Sequence, residues 1–258
     1  TGQPMKIRRI RARRPKPGLM RQHLACENAA MAISGAKAEG AELGSQELVF
    51  EPGTVRPGAY SFNVGTAGSC SLVLQTILPP LMMAQSASRV VLGGGTHNPM
   101  APPFHFLERC FAQLLSRLGV GLALELRRMG FYPAGGGEFS ALITPATGGL
   151  APVDLFERGA LRGAYAECLA PGLPSRVASR ELEAVGRLLS WTPEQLITPA
   201  VRQNEGPGNA LMATLVHEHV TELVTAFGEK GVSSEAVAAS LSKEVQAFQR
   251  AAGALGPH

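Results

Sequence analysis

Eight basic side chains, Lys6, Arg8, Arg9, Arg11, Arg13, Arg14, Lys16 and Arg21, fall within the first 21 residues, with no acid among them. The rest of the sequence holds 16 basic against 20 acidic groups, so the positive charge is local. Such a cluster on an otherwise mildly acidic chain suits phosphate groups, whether in a nucleotide or in nucleic acid. The plain alternative is a solvated basic tail. His23, two residues past Arg21, could donate to the same phosphates or serve as a structural histidine.

Three glycine-rich stretches could approach an anion closely: Gly65-Thr66-Ala67-Gly68-Ser69, Gly93-Gly94-Gly95 and Gly135-Gly136-Gly137. None carries the Lys-Ser/Thr pair of a P-loop, and none fits GxGxxG opening a βαβ unit. The first precedes a helix, where outward N–H groups could meet phosphate; alternatively Ser69 does no more than cap that helix. His217 and His219 fall on one face of an expected strand but have no evident third ligand, so they make a weak metal site. Asp154 is the only aspartate, which argues against a carboxylate cluster for metal-assisted chemistry wholly within the chain.

The elements that must position these residues follow from periodicity. Strands are expected from Met5 to Arg11, Glu47 to Phe50, Tyr60 to Val64 and Arg89 to Leu92. A helix should run from Leu19 to Ile33, covered on both sides, and a second, apolar nearly all round, from Ser69 to Met83, ended or kinked by Pro79 and Pro80. The clearest helix spans Pro103 to Leu118, with Leu107, Cys110, Phe111, Leu114, Leu115 and Leu118 at three- and four-residue spacing. Strands over Leu122 to Leu126 and Phe139 to Thr144 flank GFYPAGGGE. After a composition shift near Thr147, the order is a strand (Leu161 to Leu169), a helix (Ser175 to Leu189), two strands (Leu211 to His217, Val220 to Phe227) and a helix (Ser234 to Phe248). Helices alternate with strands, so the class is α/β or α+β, with helices layered on sheets.

With 258 residues, 45% of them apolar, the chain can bury a sizeable core. No apolar run is long enough to span a bilayer, and residues 1–18 lack the apolar stretch of a secretory signal, so a cytoplasmic location is expected. Cys26, Cys70, Cys110 and Cys168 contain no CxxC pair, which points to reduced, mostly buried thiols.

Several segments, taken in order, resemble the RNA 3'-terminal phosphate cyclase family: Ile10 to Leu19 (IRARRPKPGL) with Arg21-Gln22-His23-Leu24, Glu39 to Ser45, Ala67-Gly68-Ser69 with Leu74-Gln75, Gly94-Gly95-Thr96, Ala101-Pro102-Pro103, and Gly130 to Gly137 (GFYPAGGG). The likeness continues through Glu157-Arg158-Gly159, Gly206-Pro207-Gly208-Asn209 and Gly228-Glu229-Lys230. It implies ATP- and divalent-metal-dependent conversion of an RNA 3'-phosphate end to a 2',3'-cyclic phosphate, through a histidine-bound AMP and an RNA-linked pyrophosphate. By the same resemblance Gln75 falls at an ATP-binding position, and Arg11, Arg14, Arg21 and His23 fall in a motif for the terminal phosphates. The implied fold is a set of repeated units of two helices on a four-stranded sheet, similar to the C-terminal domain of bacterial translation initiation factor three, with a smaller inserted domain. Residues 1–156 would then form a partial core domain, 157–250 the insert, and 251–258 the start of a return to the core.

Two departures stand out. Met129 takes the place of the arginine or histidine usual in the glycine signature, and Phe139 that of a smaller aliphatic residue. The resemblance implies a chain trimmed at both ends, with the catalytic histidine beyond the C-terminus, and none of the six histidines matches the family's nucleotide-accepting motif. A non-catalytic relative that binds RNA in ribosomal RNA processing is the alternative implied by the same fold.

Overall fold

The computed structural model describes residues 2–256. The polypeptide begins with β1 (Met5–Arg8), α1 (Arg21–Ser34), β2 (Lys37–Glu39), β3 (Glu47–Glu51), β4 (Ala59–Asn63), α2 (Cys70–Leu81) and β5 (Ser88–Gly94). A helical stretch follows as α3 (Phe104–Phe106), a π-helical turn (Leu107–Phe111) and α4 (Ala112–Arg117). Then come β6 (Gly121–Arg128), β7 (Gly137–Thr144), β8 (Leu161–Leu169), α5 (Ser175–Leu189), β9 (Leu196–Ile197), β10 (Ala210–His217), β11 (Thr221–Phe227) and α6 (Ser234–Arg250). Helices and mixed or antiparallel sheets make the chain α+β.

The central sheet has the order β4-β5-β7-β6. β4 and β5 pair in parallel because α2 crosses between them, whereas β6 and β7 form an antiparallel hairpin. Alternation decides which face is buried: Val90 and Leu92 of β5 and Phe139, Ala141 and Ile143 of β7 meet Val73, Leu74, Ile77 and Leu81 of α2. Ser69 caps α2 by accepting from the N–H of Ser71 at 3.2 Å. Pro79 and Pro80 lie in its last turn, where they withhold N–H donors from the carbonyls of the preceding turn, and the helix ends one residue later.

A second sheet, β11-β10-β8-β9, carries α5 and α6 on one face. Its other face meets the π-helical turn and the β6 end through Leu169, Ala210, Met212 and Leu223 packed with Cys110, Met129 and Phe131. Strand β10 is therefore apolar nearly without alternation, since both its sides are covered. Arg109 reaches across this junction to an ion pair with Glu167 and a 3.2 Å hydrogen bond to Thr214. A small antiparallel sheet, β1-β3-β2, holds the N-terminal segment.

Several sequence expectations are corrected. The first strand stops at Arg8, because Arg9 and Arg11 take left-handed conformations, with φ of 57° and 52°. Helix α1 is covered unequally: Ala29 and Ile33 enter the core, while on the other side Glu27 is buried and Leu24 and Met31 are half-buried. His219 lies in the turn after β10 rather than on a strand with His217. β2 and β9, three and two residues long, have no periodicity to reveal them. Among the described residues no helix is long and apolar enough to cross a membrane, and all four cysteines are free.

Candidate functional site

Because Asn63 pairs with Gly93 and Gly94 pairs with Gly137, the segments leaving β4 and β5 and the segment entering β7 emerge at one end of the central sheet. The three glycine stretches therefore meet. Gly95 donates to Gly68 and accepts from Cys70, each at 2.8 Å. Thr96 and His97 both donate backbone N–H groups to Gly130, at 2.9 and 3.0 Å, and the Thr96 hydroxyl accepts from Gly130 N at 2.9 Å. Gly135 has φ of +69°, and a side chain there would come within 2.8 Å of the Ala67 backbone, so only glycine fits.

The basic segment arrives at the same end through α1. Gln22 accepts from Ser69 N at 3.0 Å, and the Cys26 thiol points to Leu72 O at 3.6 Å, so α1 and α2 run side by side in the same direction. His23 Nδ1 accepts from Met20 N at 2.9 Å, closing the start of α1. Its other ring nitrogen is thereby the N–H in the neutral form. Burial, with Arg11 nearby, pushes the His23 pKa down, which keeps that neutral form. Arg11 is only partly a free cation: its Nη1 donates to Lys16 O at 2.5 Å and Gly18 O at 3.1 Å, shaping the loop. Arg14 and Arg21 are exposed, and among the described residues neither side chain has an ion-pair partner.

The expectation of outward N–H groups at the start of α2 is overturned. Ser69 N donates to Gln22, Cys70 N to Gly95 O, and Ser71 N to the Ser69 hydroxyl, while Gly65 and Gly68 donate to Asn63 and Thr66 side chains. The N–H groups of Ser69, Cys70 and Ser71 are thus engaged within the protein, and positive charge for an anion at this end comes from side chains. Gln75 sits on the exposed face of α2, about one and a half turns from the glycine loop.

Sequence reasoning missed the buried polar chain behind the loops. The Thr96 hydroxyl pairs with His97 Nδ1 at 2.8 Å, and His97 Nε2 pairs with His105 Nδ1 at 3.0 Å, so each contact shares a single proton. The His97 ring stacks on Phe131 with centroids 5.1 Å apart. Burial, and beyond it the neighbouring cation, lowers His105 to about 4, and burial lowers His97 well below its ordinary value. Both rings are neutral struts. Asn98 donates to Ala67 O at 2.5 Å, while its buried Oδ1 has no partner among the described residues. A glycine run beside a Thr-His-Asn triplet was the one available signal.

His217 and His219 stand at the β10–β11 turn, away from these loops, with His217 edge-on to Phe248 at 5.7 Å. Among the described residues no three side chains of His, Cys, Asp or Glu gather as metal ligands.

Comparison with known proteins gives this geometry its context. The family description "RNA 3'-terminal phosphate cyclase" matches residues 1–252. A protein of that name from Ralstonia nicotianae is 52% identical over 240 residues, covering 92% of this chain and 68% of its own. Others from Pseudomonas fluorescens and Ectopseudomonas mendocina are 47% and 45% identical over all 258 residues, 75% of each relative's length. A likeness this close and this continuous, running through every loop described above, shows that the chain belongs to the RNA 3'-terminal phosphate cyclase family.

Proposed function

We propose that the protein converts RNA 3'-phosphate ends to 2',3'-cyclic phosphates at the expense of ATP, by way of a histidine-bound AMP. The observation that carries the reading is the junction of α1 with the three glycine loops, made by Gln22 between Arg21 and His23, which supports a phosphate site at that end of the sheet with Arg14 on the basic loop before it. A terminal phosphate dianion needs donors and positive charge, and these side chains supply both. His23 presents an N–H, while Arg11 holds the loop in shape and keeps the rest of its guanidinium available.

The chemistry asks for more than binding. Hydroxide is a poor leaving group, so attack of the neighbouring 2'-hydroxyl on a bare 3'-phosphate is slow; ATP supplies AMP as the better leaving group. Gln75 is proposed as a contact to that nucleotide. Four of the described histidines do not present a nucleotide-accepting nitrogen, since His97 and His105 are buried struts and His217 and His219 lie at the β10–β11 turn, and His23 is assigned to the terminal phosphate. Among the described residues, carboxylates, thiols and imidazoles do not gather in threes as ligands for a divalent metal. We read residues 157–250 as an inserted unit, supported by the separate core that joins their sheet to α5 and α6.

The reading is tested by incubating the intact protein with RNA carrying a labelled 3'-phosphate. Label that becomes phosphatase-resistant only when ATP is added is the expected result. Unchanged label under all ATP and metal conditions would sink the proposal.

A further inference from the structure

Tyr132 stands out on the glycine loop: it is 68% exposed, although the residue before it, Phe131, is 3% exposed. It borders a cleft of about 1070 Å³ between the loop and the second sheet, with His97 and Pro133 on its own side and Arg176, Lys230 and Glu229 on the other. Arg176 opens α5, and Lys230 lies in the turn between β11 and α6. Both are exposed, and among the described residues neither has an ion-pair partner. Arg180 is already held by Glu235 at 2.8 Å, and Glu181 is buried against Asn209 at 3.0 Å. The charges facing the opening are therefore two cations against Glu229.

We propose that this cleft seats the nucleotides of single-stranded RNA that precede the reacting 3' end, with a base stacked on Tyr132 and backbone phosphates met by Arg176 and Lys230. The assignment rests on the cyclase reading and extends it from the terminal phosphate to the strand behind it. An exposed aromatic ring beside unpaired cations is the arrangement that single strands require, because each nucleotide brings a flat base and one negative charge. A duplex keeps its bases stacked on one another and has no face to offer the ring. At about 1070 Å³ the cleft lies at the top of the range of small-molecule pockets, which leaves room for a base together with its backbone. It is also continuous with the phosphate site: Gly135, three residues past Tyr132, lies against Ala67, whose loop is tied to Gln22 at the start of α1. Gly136, between the two regions, faces open space. A strand ending near Arg21 and His23 crosses that glycine to reach Tyr132.

The experiment compares 3'-phosphorylated RNAs of two and ten nucleotides, by fluorescence anisotropy and by cyclisation, in the intact protein and in Tyr132→Ala, Tyr132→Trp and a double Arg176→Ala, Lys230→Ala variant. Thermal melting confirms that each variant is folded. The ten-nucleotide RNA should bind the wild type about tenfold or more tightly than the dinucleotide, given the usual range for one stacked base. Tyr132→Ala should lose about tenfold more on the longer RNA than on the shorter one, and Tyr132→Trp should restore it. The double variant should flatten the dependence of log affinity on log salt by about 1.4, for two phosphate contacts to a single strand. Cyclisation with no length dependence, or equal losses on both RNAs, would overturn the cleft and leave the cyclase reading standing. Length-dependent, Tyr132-dependent binding without cyclisation of any RNA would support the cleft and overturn the cyclase reading.

Discussion

Gln22 of α1 accepts, through Oε1, a 3.0 Å hydrogen bond from the backbone N–H of Ser69, the N-cap of α2. This contact joins the basic segment to the first glycine loop and engages the N–H at its end. Gln22→Ala leaves that amide without a partner in a part-buried position, at a cost of about 1 to 3 kcal/mol. Gln22→Glu keeps the acceptor and should retain most of the stability. Urea denaturation of both variants checks this, and a wild-type midpoint for Gln22→Ala would show the contact to be dispensable.

Arg11 and Arg14 should separate into different roles. Arg11 braces the loop through two carbonyls, so Arg11→Ala is expected to lower both stability and use of 3'-phosphate RNA. Arg14 makes no such contact among the described residues, so Arg14→Ala should leave the melting temperature unchanged and weaken only the substrate, by about 1.5 to 3 kcal/mol for a charge-assisted contact. Steady-state cyclisation beside calorimetry tells them apart.

Gln75→Ala is expected to raise the ATP concentration needed for half-maximal cyclisation, with little change in the dependence on RNA. Its exposure on α2 predicts a wild-type melting temperature. An unaltered ATP requirement removes it from the site.

His105 makes stability depend on pH. The unfolded side chain titrates near 6.5, whereas burial, with Arg109 nearby, holds the folded one at about 4, and His97 faces it from the adjoining loop. Between these values the unfolded chain binds a proton that the folded chain refuses. The stabilisation is therefore complete above about pH 6.5, declines as pH falls, and changes no further below about 4. The gap corresponds to about 3 kcal/mol. His105→Gln should lose less stability between pH 7 and pH 5 than the wild type, as measured by urea midpoints; parallel losses would refute the assignment.

Glu27 is 9% exposed on α1, and its Oε1 has no hydrogen-bond partner among the described residues. Burial raises its pKa, so the folded state holds the proton more tightly than the unfolded state, and the strain grows as pH rises through the ordinary carboxylate range. Glu27→Gln should stabilise the protein at pH 7 by about 1 kcal/mol, and by less near pH 4. A destabilised Gln variant at pH 7 would show that the carboxylate has a partner in solution.

The sequence by itself determined most of the elements, because turn chemistry and periodicity are local. The Ser175 to Leu189 helix and the Leu161 to Leu169 strand stand where expected, and the other long elements lie within a few residues of their expected ends. The likeness in IRARRPKPGL and GFYPAGGG was enough to indicate the family. Short β2 and β9 stayed hidden because two or three residues carry no period. Tertiary structure alone decided which residues share a site. Gln22 and Ser69, 47 positions apart, meet because α1 lies beside α2, and Thr96 reaches Gly130 because β7 pairs between β5 and β6. It also changed one expectation, since N–H groups at the glycine-rich helix start are engaged by the distant Gln22 side chain and Gly95 carbonyl as well as by the neighbouring Ser69 hydroxyl. Such contacts depend on strand order and helix placement, which no local pattern of residues encodes.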